Sequence, residues 1–346
     1  MIPQLATGMV LGKFLPPHAG HLYLIGCARR QVRRLVVIVE RVAGEPIPST
    51  TRLEWLRALA PDIELLHLDR LMPQEPADCA DFWPRWRQAL RDLLPFVPDA
   101  VFASETYGHR LAQELEARFL PVDPARQVIP VSGSAIRADP AAHARFLSAA
   151  VLAYYGLAMP PRSSQRVRRV AIVGPESTGK STLARRLAAE FDTLFVPEYA
   201  ETLIAAGVTD PTALTTRDLE DFARGQHASE DSLADSARSW LICDSDALTT
   251  QLYAERLLGI CPRWIAAEAA ERRYDLTLLC APDVPWQPDL HRIDCGGRAA
   301  MFRDFSRALA DLGRRTVVLR GDWQARQMQA MAVLQSVETD KGSCLG

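Results

Sequence analysis

A chain of 346 residues with 48% apolar and 24% charged residues is long enough for two globular domains, each burying its own core. Its formal net charge of −2 excludes a whole-chain electrostatic case for nucleic acid or an anionic membrane. Cysteines 27, 79, 243, 261, 280, 295 and 344 are scattered without a Cys-x-x-Cys pair, and no apolar run or basic leader marks a membrane span or secretion signal. A cytoplasmic protein with reduced thiols is expected.

The first elements in chain order form a β-loop-α-β unit. Met9–Gly12 ends an apolar strand, a helix is predicted from Leu22 to about Arg33, and Leu35–Val39 is the next strand. Between strand and helix lies Lys13-Phe-Leu-Pro-Pro-His-Ala-Gly-His21. The i, i+3 spacing puts His18 and His21 on one face of the first helical turn, where free N–H groups and the helix dipole favour an anion. Gly20 permits close approach of a ligand.

Composition sharpens this. Of 40 basic side chains only Lys13, Lys180 and Lys341 are lysines. In a chain that otherwise uses arginine, lysine marks places that need a compact point charge. Lys341 lies in a tail, so Lys13 and Lys180 point to two phosphate sites.

Arg52–Leu56 reads as a helix, Ile63–Leu68 as a strand, and Ala100–Glu105 as a strand running into a loop at a ligand-binding carboxyl end. Trp83 and Trp86 could stack on a base, or pack the core. In Val131-Ser-Gly-Ser-Ala-Ile-Arg137, the turn of Ser132 and Ser134 offers N–H and hydroxyl groups to phosphate, and Arg137 can hold it bidentately. Pro160–Gln165 is rich in Pro and Ser and reads as a linker between domains at 1–162 and 166–346.

The second domain opens on the strand Val170–Val173 and the loop Gly174-Pro-Glu-Ser-Thr-Gly-Lys-Ser-Thr182, a P-loop. The backbone of Gly174, Glu176, Ser177, Thr178, Gly179 and Thr182 would cradle ATP. Lys180 would reach the β- and γ-phosphates, and Ser181 would hold Mg²⁺. Glu198 follows the strand Thr193–Val196, where an acceptor hydroxyl would bind. Trp240–Asp244 is a Walker-B-type strand, with Asp244 near Mg²⁺. Asp246 either acts on the acceptor or caps the helix that follows. Arg292 and Arg298 stand where small-molecule kinases carry a mobile lid.

The first half resembles the nucleotidyltransferase superfamily, whose Gly-x-Phe-x-Pro-x-His-x-Gly-His signature is matched at Gly12, Phe14, Pro16, His18, Gly20 and His21. Its second signature is matched at Val131–Arg137, with Ser134 in the usual Thr position. The phrases Gly-Lys-Phe, Arg-Leu-x-Trp (Trp55), Trp-x-x-Trp, Ser-Glu-x-Tyr-Gly and Ser-x-x-x-Ile-Arg are similar to the adenylyltransferase half of bifunctional NadR-type proteins. The P-loop, Glu198-Tyr199, Asp244-x-Asp246-x-x-Thr-Thr and Pro-Trp-x-x-Asp289-x-x-Arg292 resemble their kinase half. This implies an α/β protein with a Rossmann-like nucleotidyltransferase domain followed by a P-loop kinase domain, both with mainly parallel sheets.

The resemblance further implies that the histidines hold the nucleotide phosphates, that Trp55, Trp83, Trp86, Glu198, Tyr199 and Asp289 contact substrates, and that ATP, nicotinamide mononucleotide, ribosylnicotinamide and NAD are the small molecules handled. Some relatives carry an N-terminal helix-turn-helix domain. With the first motif starting at Gly12, none is expected here. Pro197 and Leu257 replace rings that sandwich nicotinamide in relatives, which leaves the kinase acceptor open. Two rivals remain: a pantetheine-phosphate adenylyltransferase fused to dephospho-coenzyme A kinase, and a non-catalytic ATP/NAD sensor. A homo-oligomer also remains open.

Overall fold

The computed structural model describes residues 2–160, 166–286 and 297–339. The linker segment therefore lies almost wholly outside the described residues, as do Asp289, Arg292 and Lys341. The chain folds as two compact units, Pro3–Arg162 and Ser163–Gly346.

The first unit is built on β1 (Leu5–Gly12), β2 (Val32–Glu40), β3 (Glu64–Leu68), β4 (Ala100–Ala103) and β5 (Arg118–Pro121), in the order β3-β2-β1-β4-β5. Every neighbouring pair is parallel. Parallel strands covered by helices on both faces read as unbroken apolar runs, which is why Val36–Val39 and Ala100–Phe102 are fully buried. The doubly wound order reverses beside β1, so the carboxyl ends of β1 and β4 splay apart and open a crevice. The first helix begins at Ala19, earlier than its apolar periodicity suggested, because His18 caps it. It ends at Gln31, and β-branched Val32 already pairs with Leu5 in the sheet.

The second unit repeats the plan with β6 (Arg168–Val173), β7 (Leu194–Val196), β8 (Trp240–Asp244), β9 (Leu276–Cys280) and β10 (Thr316–Leu319), ordered β10-β9-β6-β8-β7 and parallel throughout. Side chains alternate across the central strand. Val170 and Ile172 pack with Leu183, Leu187, Ala330 and Leu334. Ala171 and Val173 pack with Leu248, Met301, Phe305 and Leu309 on the other face. The chain is thus an α/β protein with two parallel five-stranded sheets.

Each unit clamps the loops at the carboxyl end of its sheet with one buried arginine. Arg52, 0% exposed, donates to the carbonyls of Ile47 (3.0 Å), Glu40 (3.2 Å) and Lys13 and pairs with Glu45. Arg326, 2% exposed, donates to the carbonyls of Gly321 (2.9 Å), Thr178 (2.8 Å) and Ala281 (2.7 Å) and pairs with Asp283. A planar fork of five N–H donors suits a junction of several carbonyls, which a lysine ammonium would serve poorly.

Candidate functional site

A cavity of about 510 Å³ opens at the carboxyl end of the first sheet. Its floor is the loop after β1. Gly12 lets the Phe14 ring pack close, since a Cβ would lie 3.2 Å from that ring and make it shift. Phe14 is fully buried and meets His21 edge-on at 4.9 Å. The rings of His18 and His21 stand 3.8 Å apart, as their spacing predicts. The Gly20 N–H donates to His18 Nδ1 (3.1 Å). That fixes the tautomer, because a neutral His18 must then carry its proton on Nε2. His21 Nδ1 is buried without a hydrogen-bond partner among the described residues.

Both imidazoles are held neutral. Burial, then the Arg126 charge, lowers His18 to about 4. Burial, then His18 and Arg126, depresses His21 well below the usual range. Arg126 lines the cavity, donating to Glu105 Oε1 (2.9 Å) and the Val131 carbonyl (2.9 Å). Nothing in its sequence context distinguishes it in so arginine-rich a chain. Tyr107, the tyrosine of the Ser-Glu-x-Tyr-Gly phrase, is a further residue of this site. Its hydroxyl donates to the Leu11 carbonyl at 2.7 Å beside the same cavity.

The two halves of the first site meet physically. Ser132 caps the helix Gly133–Ala138 by accepting from Ala135 N–H, and its hydroxyl lies 3.0 Å from that of Ser134. Arg137 reaches back to the Leu15 carbonyl (2.5 Å). A Cβ on Gly133 would sit 2.6 Å from that same oxygen, so glycine is what lets the second motif pack on the first. Lys13, Gly20, Ser132, Ser134 and Arg137 all line the cavity, and so do Trp83 and Trp86. Trp86 is also anchored by donating to the Pro73 carbonyl (3.0 Å). Trp55 does not line it. Its helix turns that ring edge-on to Tyr154 at 5.4 Å instead.

A second cavity of about 400 Å³ lies over the P-loop of the other unit. Glu176, Ser177, Thr178, Gly179, Lys180, Ser181 and Thr182 line it in one continuous run. Gly174 sits beneath, where a Cβ would be 2.7 Å from the Cys280 carbonyl oxygen. Gly179 takes the left-handed conformation that starts the helix Lys180–Glu190. Lys180 Nζ rests on the Pro175 carbonyl at 3.2 Å, a position from which it can swing to an anion.

Asp244, at the end of β8, is buried beside Lys180 and the Ser181 hydroxyl, and burial raises its pKa while Lys180 opposes. Its Oδ1 has no hydrogen-bond partner among the described residues. Glu198 lines the cavity and is also raised, first by burial, with Lys180 opposing and the carboxylates of Glu201, Asp244 and Glu176 adding. Tyr253, Phe222 and Leu257 supply apolar wall. The Tyr253 hydroxyl is tied to the Glu176 backbone.

Three expected site residues do not line this cavity. Asp246 caps the helix Ala247–Leu258, accepting from Thr249 N (3.0 Å) and Oγ1 (3.2 Å), and pairs with Arg314 at 2.5 Å. Both oxygens are engaged, the side chain is 0% exposed, and it does not line the cavity, which is the helix-cap side of the two readings. Tyr199 turns its ring onto Gly225, where a Cβ would lie 2.0 Å from it, away from the cavity. Arg298 opens the helix Arg298–Asp311 and donates to the carbonyls of Val284 (3.0 Å) and Ser177 (3.3 Å), bracing the P-loop.

Residues 169–326 match the family model described as an AAA domain. The chain is 28% identical over 299 residues to the trifunctional NAD biosynthesis/regulator protein NadR of Escherichia coli K12, covering 82% of this chain and 70% of that protein. To its Salmonella typhimurium counterpart it is 27% identical over 303 residues, 83% and 71% of the two chains. A solved NadR protein in complex with NR covers 96% of this chain and 97% of its own, with 21% identity and a TM-score of 0.43. An alignment of 299 residues is longer than either unit, so it must cross both. The chain is a homologue of NadR.

Proposed function

We propose that the chain is a bifunctional enzyme of NAD biosynthesis. The first unit joins nicotinamide mononucleotide to the AMP part of ATP, releasing pyrophosphate. The second phosphorylates ribosylnicotinamide with ATP, so its product is the substrate of the first. The observation that carries this reading is the NadR similarity running through both units, each of which has its own cavity around one of the two lysines outside the tail.

In the first cavity the acceptor phosphate attacks the α-phosphorus in line, and no group of the protein becomes covalently bound. His18 Nε2–H, Lys13, Arg126 and the Ser132 turn supply donors where negative charge gathers. Neutral imidazoles can take up a proton as the triphosphate enters, so the site adapts its charge to its ligand. In the second cavity Lys180 and the loop N–H groups hold the transferred phosphate, and Glu198 stands where an acceptor hydroxyl would lie.

The residues present suit Mg²⁺ bound with ATP. The orphaned Asp244 Oδ1 beside Ser181 offers the hard oxygen donors such an ion prefers. Among the described residues no group of three or more His, Cys, Asp or Glu side chains could hold a metal, so its other ligands would come from nucleotide and water. When bound, Mg²⁺ would neutralise charge on the phosphates.

Incubation with ATP, Mg²⁺ and nicotinamide mononucleotide should yield NAD and pyrophosphate; ribosylnicotinamide in its place should yield the mononucleotide and ADP. Absence of NAD from the first mixture would refute the adenylyltransferase assignment. Absence of ADP from the second would refute the kinase assignment.

A further inference from the structure

We propose that Trp323 is the platform on which the base of the phosphate donor stacks in the second unit, and that this grip takes adenine and guanine alike. The inference rests on the kinase reading above and adds to it a donor-binding residue and a donor specificity.

No motif in the sequence singles out Trp323, but the fold brings it to the P-loop. It opens the helix Trp323–Thr339, just after β10. A Cβ on Gly179 would lie 2.1 Å from its indole ring, so only glycine admits the ring there. Gly179 also lines the second cavity and immediately precedes Lys180. The buried Arg326 guanidinium, 5.8 Å from the ring centroid and itself fixed on the Thr178 carbonyl, braces the indole. Trp323 is nevertheless 40% exposed. In a nucleoside triphosphate the base lies one ribose beyond the α-phosphate. A triphosphate cradled by the loop therefore carries its base to the loop's rim, where an open indole offers a stacking surface.

The turn that leads into Trp323 has its polar groups tied into the fold. Arg320 N–H donates to Gln329 Oε1 (3.2 Å), and its carbonyl accepts from Gln329 Nε2 (2.9 Å). Gly321 N–H donates to Asp283 Oδ2 (2.9 Å), and its carbonyl accepts from Arg326 Nε (2.9 Å). Asp322 caps the helix, accepting from Ala325 N–H at 2.8 Å. Adenine and guanine share a π face and differ at their edges. A grip made by the ring, with the adjoining turn occupied in holding itself, reads the face.

The test follows ADP or GDP release with ribosylnicotinamide saturating and Mg²⁺ in excess. That readout reports the second site alone, because adenylyl transfer releases pyrophosphate. KM for ATP and for GTP should agree within about tenfold in the native enzyme. In Trp323→Ala both should rise by about 5- to 150-fold, the span of one base–aromatic stack, with kcat and the KM for ribosylnicotinamide little changed. Trp323→Phe, which keeps a ring, should retain most of the affinity. Inorganic tripolyphosphate has no base, so it should inhibit the native and Trp323→Ala enzymes with the same Ki. A Ki that rises in step with the KM for ATP would mean that Trp323 only shapes the P-loop through Gly179, and overturns the platform. An unchanged KM for ATP in Trp323→Ala overturns it too. Discrimination of more than about a hundredfold between ATP and GTP by the native enzyme overturns the shared grip. A native enzyme that releases no ADP from ATP and ribosylnicotinamide overturns the kinase reading, and the inference with it.

Discussion

At the scale of single residues, the histidines tie pH to both stability and binding. A base whose pKa is lowered in the folded state binds fewer protons than in the unfolded chain. Stability is therefore intact above the unfolded value of 6.5 and is lost as pH falls toward about 4, the folded value for His18. That shift corresponds to about 3 kcal/mol when fully developed. Thermal unfolding of the ligand-free protein should show the first unit weakening over this window, and His18→Gln should flatten the dependence. Polyphosphate should reverse the direction, so pyrophosphate binding should take up protons. Calorimetry in two buffers of different ionisation enthalpy would measure this. A second contrast concerns Asp244 and Asp246, two residues apart. Asp246→Ala strands a buried Arg314 and should cost about 3–5 kcal/mol in denaturant unfolding, leaving the kinase KM of the folded protein near native. Asp244→Asn should keep the stability and abolish phosphoryl transfer.

At the scale of elements, both cavities depend on contacts between loops that follow different strands. In the first unit the helix Gly133–Ala138 packs on the loop after β1 through Gly133 and Arg137, both against the Leu15 carbonyl. Gly133→Ala must push that helix away, because its Cβ would meet a backbone oxygen that cannot yield cheaply. Adenylyl transfer should fall about 10- to 100-fold with kinase activity unchanged, as a coupled NAD assay and an ADP-release assay would show. Arg326 and Arg298 do the corresponding work around the P-loop, holding the carbonyls of Thr178 and Ser177.

At the scale of the whole molecule, two cavities lined by separate residues predict, under the proposed function, separable activities. His21→Ala should abolish NAD formation and spare the kinase; Lys180→Ala should do the reverse. Mixed together, the two variants should convert ribosylnicotinamide to NAD, since the mononucleotide made by one can diffuse to the other. Loss of both activities in either folded variant would refute independent sites, and chromatographic detection of NAD in the mixture decides it.

Much of this site was legible in the chain itself because its signals are local. A P-loop and a His-x-Gly-His turn are each a strand, a loop and a helix within some twenty residues. Their chemistry comes from backbone N–H groups and helix ends that form whenever that segment folds. The scarcity of lysine marked both sites for the same reason, since Lys13 and Lys180 each sit inside such a segment. The tertiary structure decided what long-range packing controls. It showed which carboxylate of Asp244 and Asp246 faces the P-loop and which caps a helix, and that Trp83 and Trp86 reach the cavity while Trp55 does not. It also picked Arg126, Arg52 and Arg326 out of a chain full of arginine. Burial and ion pairing set those roles, and both depend on residues up to 148 positions apart in sequence.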